Sequence, residues 1–168
     1  MRIEITEYNP EWAKMYDNMK GLFFRSFGDK IAGIEHIGST SVAGLCAKPI
    51  IDILLGVNKL DDADLIIPNM IKLGFDYISK YEDVMPYRRY FNKYENEVSK
   101  FHVHTVAIDS DFWKRHIKFR NILRKNENIR NDYCMLKKEL AKKEWKDGNE
   151  YADAKTEFIR KIEKWITD

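Results

Sequence analysis

The chain has 168 residues, of which 44% are hydrophobic and 33% charged, and its formal net charge is +2. This length favours one compact domain, and the near-neutral charge does not indicate a general nucleic-acid binder. No stretch is long or apolar enough to span a bilayer, and the N-terminus lacks the apolar segment of a signal peptide. We therefore expect a cytoplasmic protein that associates with neither nucleic acid nor membrane.

The patterns of apolar residues and turn signals predict a mixed succession of helices and strands. In chain order they predict a short strand or extended lead-in at 3–5, a helix at 10–27, a strand at 31–37, a helical turn at 42–45, a buried strand at 49–57, a helix at 61–74 and a strand at 75–78. A hairpin of strands at 88–94 and 100–108 follows, and then three helices at 112–125, 129–145 and 150–166. The predicted fold class is therefore α+β, with a core at 1–108 and a helical layer at 109–168 that packs on the same core.

The two cysteines, Cys46 and Cys134, are too few for a disulfide framework and match no zinc spacing. We expect both to be reduced thiols. Cys46 is typical of a small apolar core residue, and the alternative is a reactive thiol beside the neighbouring Ser/Thr turn.

A lone carboxylate stands within the apolar strand predicted at 49–57. Burying Asp52 there costs several kcal/mol unless a cation or hydrogen-bond donors meet it. Just upstream, Gly38, Ser39 and Thr40 form a turn of small residues whose backbone N–H groups can face an anion. We predict a functional carboxylate beside a phosphate-binding turn. The alternative is a structural aspartate that caps a helix or pairs with an arginine.

Two histidines are two residues apart on the strand predicted at 100–108. Alternate side chains of a strand point the same way, so His102 and His104 present their imidazoles side by side. With Asp52 on a nearby strand, they predict a site for a metal or for proton transfer; the alternative is two solvent-facing histidines. On the preceding strand at most one of Arg88 and Arg89 shares that face. Arg88 is the candidate phosphate contact, and an exposed charged edge is the alternative.

Two further cations accompany the apolar stripes of the C-terminal helices. Lys155 lies in the stripe of Tyr151 and Ile162, and Arg120 borders another stripe. Both are candidate phosphate contacts; alternatively, the Lys155 stem extends so that its ammonium reaches solvent. We assign His116 a structural role. The other lysines of the region are interpreted as a solvated face: Lys137, Lys138, Lys142 and Lys143.

The segment from His36 to Asp52, which contains Lys48-Pro49-Ile50-Ile51-Asp52-Ile53, resembles the GrpB family of bacterial proteins. Further matches follow in the family's order: Phe101-His102-Val103-His104, Phe119-Arg120 with Leu123-Arg124, and Tyr151-Ala152-Asp153-Ala154-Lys155-Thr156. The resemblance extends over nearly the whole chain. It implies a nucleotidyltransferase-like fold, related to the superfamily that includes DNA polymerase beta, and kinship with a domain fused to some bacterial dephospho-coenzyme A kinases.

That superfamily binds nucleotide phosphates at a Gly-Ser turn and holds magnesium with two aspartates at alternate strand positions and a later third carboxylate. Gly38, Ser39 and Asp52 match this pattern, but Leu54 stands at the second aspartate position. Lys48 falls inside the matching segment and joins the candidate phosphate contacts. One aspartate with two imidazoles suits a single Mn, Zn, Ni or Fe ion better than a pair of magnesium ions.

Two functions remain open from the sequence. The first is an enzyme that acts on a nucleotide, such as a nucleoside triphosphate, or on another phosphorylated small molecule with the help of a divalent metal (Mg or Mn, or a transition metal such as Zn). Its catalytic and metal-binding residues would be Asp52, His102 and His104, and its phosphate contacts would be Gly38, Ser39, Thr40, Lys48, Arg88, Arg120 and Lys155. The second is a module that binds nucleotide or phosphate and has lost metal catalysis, which Leu54 favours. The acceptor and the oligomeric state stay open.

Overall fold

The computed structural model describes the backbone of residues 1–165 and the side chains of residues 1–164. Its helices and strands are, in chain order, α1 (Glu11–Phe27), β1 (Gly33–Ile37), β2 (Ile51–Val57), α2 (Leu60–Lys72), β3 (Asp76–Tyr77), β4 (Arg88–Glu95), β5 (Val98–Ala107), α3 (Asp111–Lys125), α4 (Glu127–Ala141), α5 (Gly148–Asp153) and α6 (Thr156–Trp165). None of the helices in this part of the chain is long and apolar enough to cross a membrane.

The five strands form one mixed sheet in the order β1-β2-β5-β4-β3. Strands β2 and β5 are parallel neighbours, whereas the other neighbouring pairs are antiparallel. The α+β fold class predicted from the sequence is confirmed. Because β2 and β5 lie side by side, Asp52 is directly opposite His102 in the register.

The two faces of the sheet have different partners. Alternation along β2 directs Ile51, Ile53 and Leu55 into the main core, which also contains buried residues of α1 and α2. Leu54 faces the other way and packs with Phe112 and other residues of α3 and β5. Asp52 shares this second face with Leu54, so its carboxylate is directed away from the main core.

Three local predictions differ from the structure. The lead-in at 3–5 forms no strand, and the only β-contact of this part of the described chain is the isolated bridge between Thr6 and Ala47. The helical turn is a 3₁₀ turn at Ser39–Ser41 instead of 42–45. The helix predicted at 150–166 is two helices, α5 and α6, with Lys155 at the break between them; Ile166 lies outside the described residues.

The expectation of two reduced thiols is wrong in this structure. Cys46 and Cys134 form a disulfide across a sequence separation of 88 residues, with a Cα–Cα distance of 5.5 Å. The fold brings α4 against the segment that follows the Ser39–Ser41 turn, and sequence spacing cannot show such a contact. The disulfide therefore ties α4 to the segment between β1 and β2.

Candidate functional site

The turn between β1 and β2 begins at a glycine with a left-handed backbone. Gly38 has φ 72°, and a Cβ built there would lie 2.5 Å from Asp52 Oδ2. Only a glycine combines this φ with so close an approach of the carboxylate. The Thr40 hydroxyl donates to the Ile50 carbonyl at 2.9 Å, and Arg124 donates to the Ser41 carbonyl at 2.8 Å. The turn is therefore fixed against both β2 and α3, while Ser39 stays half-buried.

Asp52 and the two histidines of β5 converge on this face of the sheet. Asp52 Oδ1 lies 3.5 Å from His102 Nδ1 and 3.8 Å from His104 Nε2. The Asp52 side chain keeps 28% of its surface exposed, so the carboxylate is partly open to solvent; we call the surface around Asp52, His102 and His104 the cleft. Burial alone raises the pKa of Asp52, but hydrogen bonding to the two imidazoles outweighs burial and holds the pKa below its ordinary value. The carboxylate is ionised at neutral pH.

Arg88 determines which nitrogen of His104 carries the ring proton. Its Nη1 lies 3.1 Å from His104 Nδ1. A guanidinium can only donate, so Nδ1 accepts and the neutral ring keeps its proton on Nε2, the nitrogen that faces Asp52. Burial, the largest influence, lowers the pKa of His104, which favours this neutral form. The Nε2 proton of His104 therefore faces the Asp52 carboxylate, with Nε2 3.8 Å from Oδ1.

In this protonation state His104 cannot bind a metal through Nε2. A metal-bound imidazole nitrogen must be free of its proton, whereas His104 Nε2 carries one. His102 already has Asp52 at Nδ1 and the Ser99 hydroxyl at 3.0 Å from Nε2. No group of three or more His, Cys, Asp or Glu side chains within residues 1–164 is arranged to hold a metal ion. The metal-binding role of these residues remains a prediction.

A lysine of α4 reaches the turn, and the sequence interpretation missed it. Lys137 is 2% exposed, its Nζ lies 2.8 Å from Ser39 Oγ, and it also donates to the Cys46 carbonyl. Its assignment to a solvated face was wrong, because α4 turns this lysine inward together with Tyr133 and Leu140. Tyr133, Lys137 and Leu140 are four and three residues apart, a spacing that indicates one face of a helix, and this pattern could have identified Lys137 from the sequence. Burial, helped by the charge of Lys155, lowers the pKa of Lys137 to about 7.

Two more lysines complete the positive surroundings of Asp52. Lys155 is half-buried, with its Nζ 4.3 Å from the centre of the Tyr151 ring. Burial lowers the pKa of Lys155 to about 8 despite the opposing charge of Asp52. Lys48 is also half-buried, and burial lowers its pKa while Asp52 again opposes the shift. Both ammonium groups are thus close enough to Asp52 for their charges to interact.

Other predicted contacts have partners of their own. Arg120 lies 2.5 Å from a Glu35 carboxylate oxygen and donates to the His36 carbonyl at 2.9 Å, so it joins α3 to β1 and we leave it out of the site. The buried Thr40 hydroxyl is likewise committed to the backbone. Arg89 points to the opposite face, where it pairs with Asp64.

The remaining histidines lie on different faces of the sheet. His36 stacks on Tyr16 of α1, on the opposite face of the sheet. His116 of α3 stacks on Phe112, and its ring centre is 6.5 Å from that of His104. His116 therefore helps to enclose the cleft as part of the α3 wall.

The mixed sheet, with a Gly-Ser turn beside an aspartate of the interior strand β2, is consistent with a nucleotidyltransferase-like fold. The chain belongs to the GrpB family, whose model, described as GrpB protein, matches residues 2–165.

Individual relatives agree with this assignment. The chain is 35% identical to a UPF0157 protein of Halalkalibacterium halodurans over 96% of this chain and 81% of that protein. It is 32% identical to the glutamate-rich protein GrpB of Alkalihalophilus pseudofirmus over 94% and 92% of the two chains. The crystal structure of the conserved protein GrpB from Enterococcus faecalis is similar, with a TM-score of 0.86, 36% identity and 96% of each chain covered.

Proposed function

We propose that the chain binds a phosphorylated small molecule, with nucleotides as the first candidates, at an anion site formed by Ser39, Lys48, Lys137 and Lys155. The observation that carries this proposal is the position of Lys48 and Lys155 near the Asp52 carboxylate, together with the Lys137 amine 2.8 Å from Ser39 Oγ. The positive charge of this cluster exceeds its negative charge, and phosphate oxygens are the natural complement of ammonium and hydroxyl donors. Arg88, on the same face, is a further candidate contact.

The energetics of the lysines support an anionic ligand. Burial lowers the pKa of Lys48 and Lys155, so both ammonium groups are costly unless negative charge lies nearby. A phosphate group placed beside these two lysines would stabilise their charged forms and would gain strength from partial exclusion of water. The fixed turn at Ser39 would orient the ligand with little loss of conformational freedom, which favours affinity.

A metal-assisted transferase is the second candidate, and the convergence of His102 and His104 on Asp52 favours it. In this version the carboxylate and the imidazoles would hold a single divalent ion that polarises a phosphoryl group. His104 would first have to give up its Nε2 proton, or Arg88 would have to release Nδ1. Binding of the metal is thus expected to depend on pH.

A screen by thermal melting tests the proposal. Nucleoside triphosphates, coenzyme A precursors and inorganic pyrophosphate are added with EDTA, or with Mg, Mn or Zn in its place, and the melting temperature is recorded. We expect at least one phosphate compound to raise the melting temperature in EDTA, because the lysines supply the charge. Lys155→Met should weaken that ligand about tenfold or more, since it removes a charged hydrogen-bond donor.

Two further variants sharpen the screen. Lys138→Met is the matched control, because Lys138 is solvent-exposed and pairs with Glu7 away from the site. Asp52→Asn separates the two candidates: it should leave anion binding intact or tighter if the lysines hold the ligand, and should abolish binding if a metal is required. A protein that no phosphate compound stabilises, with or without metal, would contradict both candidates.

A further inference from the structure

One polar contact of the anion site joins a serine hydroxyl to a buried amine. Lys137 Nζ lies 2.8 Å from Ser39 Oγ, within the distance at which a base can take a proton. Lys137 is 2% exposed, whereas Ser39 is half-buried and follows the exposed Gly38. The amine thus approaches the hydroxyl from inside the protein, and Ser39 keeps part of its surface open to solvent.

The position of the amine is fixed from several sides. Lys137 also donates to the Cys46 carbonyl, and its Nζ lies 4.6 Å from the centre of the Tyr133 ring. The Cys46–Cys134 disulfide ties α4 to the same segment. Tyr133 hydrogen bonds with Ser39 as well. Because these contacts hold both partners, the hydroxyl and the amine stay paired without a ligand.

The protonation state of the pair suits a base. Burial and the charge of Lys155 lower the pKa of Lys137 to about 7, and the described titratable groups that face it are Lys155 and Tyr133. Near neutral pH a large share of Lys137 is therefore the neutral amine, with two N–H groups and one lone pair. One N–H is directed to the Cys46 carbonyl, and the lone pair is available to the Ser39 hydroxyl.

We propose that Ser39 is a nucleophile and that Lys137 is its general base, so that the cleft performs covalent phosphoryl transfer. A serine hydroxyl needs such a partner, because it is a weak nucleophile while protonated. The substrate class is a phosphate ester or anhydride. This choice of substrate rests on the proposed anion site, whereas the pairing of Ser39 with Lys137 does not depend on it.

The reaction balances with water as the acceptor. Ser39 Oγ forms a bond to phosphorus, its proton passes to Lys137 Nζ, and the bond from phosphorus to the leaving oxygen breaks. The departing oxygen leaves on the side of phosphorus opposite to Oγ and takes its proton from a water molecule, while Lys48 and Lys155 neutralise the charge that develops. The hydroxide formed from this water attacks phosphorus, the Oγ–P bond breaks, and Lys137 returns its proton to Oγ, so that the free hydroxyl is restored.

Labelling with diisopropyl fluorophosphate tests this pair, because this neutral reagent needs neither the anion site nor a metal. Intact-mass spectrometry measures the rate of adduct formation between pH 6 and 9, and peptide mass spectrometry locates the adduct. We expect a single adduct on Ser39, none in Ser39→Ala, and a rate that rises with pH and levels off above about pH 7 as Lys137 loses its proton. Lys137→Met should slow labelling about 100-fold.

Controls separate the pair from a merely reactive surface. Lys138→Met should label at the wild-type rate. If Lys137→Met does not fold, the wild-type pH profile still decides, since an ordinary hydroxyl would react faster with every increase of pH and show no plateau. Absence of an adduct on Ser39, a profile without a plateau, or equal labelling of folded Lys137→Met would overturn the proposal. Melting shifts with phosphate compounds, measured on the same samples, report separately on the anion site.

Discussion

Gly38 is the residue on which the geometry of the cleft depends most closely. The prediction that a small-residue turn lies beside Asp52 came from the sequence, but the contact itself needed the fold. A methyl group at residue 38 would lie 2.5 Å from Asp52 Oδ2 in a backbone with φ 72°. The carboxylate would have to move, and it would lose its present alignment with the imidazoles of β5.

Gly38→Ala should therefore lower the free energy of unfolding by about 2–4 kcal/mol, through the combined effects of backbone strain and overpacking. Gly28→Ala is the matched control, because Gly28 also has a positive φ, 55°, but has nothing within 4 Å of the added Cβ. Its cost should be about 1 kcal/mol from backbone strain alone. Urea denaturation measures both variants. Equal losses would show that the contact with Asp52 adds nothing.

Lys137 predicts a specific dependence of stability on pH. Its pKa is about 7 in the folded protein and 10.5 ordinarily, so between these values the unfolded chain holds a proton that the folded chain lacks. The stability contributed by this group therefore rises with pH through that window, by up to about 1.4 kcal/mol per pH unit, and is lowest below pH 7. Lys155 acts in the same direction over a narrower range.

Lys137→Met should remove part of this rise and stabilise the protein at pH 6 by about 1–3 kcal/mol, because an apolar side chain replaces a buried charge. Denaturation at pH 6, 8 and 9.5 measures the effect, with Lys138→Met as the exposed control. Parallel pH profiles for the wild type and Lys137→Met would mean that Lys137 keeps its ordinary pKa. A gain in stability with a loss of ligand binding would show that this lysine is retained for function.

At the scale of elements, the disulfide and the C-terminal helices depend on contacts between distant segments. Alternation along β5 was sufficient to place His102 and His104 on one face, because strand geometry is local and regular, whereas Asp52 joins them through the pairing of β2 with β5. The pairing of Cys46 with Cys134 and the inward turn of Lys137 depend on how α4 docks. Burial of Tyr133, Lys137 and Leu140 on one side of α4 shows that its spacing held usable information.

Reduction of the disulfide should lower the free energy of unfolding by about 2–4 kcal/mol, because the bond restricts a long loop in the unfolded chain. Reduction should also make the position of the Lys137 side chain less fixed, because Lys137 donates a hydrogen bond to the Cys46 carbonyl. Urea denaturation with and without dithiothreitol measures the change. The variant with Cys46→Ser and Cys134→Ser should not respond to the reductant. An unchanged midpoint in wild-type protein with two free thiols would contradict the prediction.

At the scale of the whole molecule, the cleft combines distant parts of the chain. The turn at Ser39 and the strand of Asp52 belong to the first half, whereas Lys137 lies on α4 and Lys155 between α5 and α6. Fold class and the carboxylate–imidazole centre were predictable because each depends on periodicity within one segment. The charge balance of the cleft was not predictable from the sequence, because it depends on which lysines and arginines of the C-terminal helices point inward. It also depends on the ion pair between Glu35 and Arg120, which keeps Arg120 out of the site.

We expect lysines, and not a bound metal, to supply the charge that holds a phosphate ligand. Calorimetric titration in EDTA, with the compound that gives the largest melting shift, measures this most directly. We expect saturable binding that Lys155→Met weakens about tenfold or more and that Lys138→Met leaves unchanged. Binding that appears only when a divalent metal replaces EDTA, or an affinity that Lys155→Met leaves unchanged, would contradict this expectation.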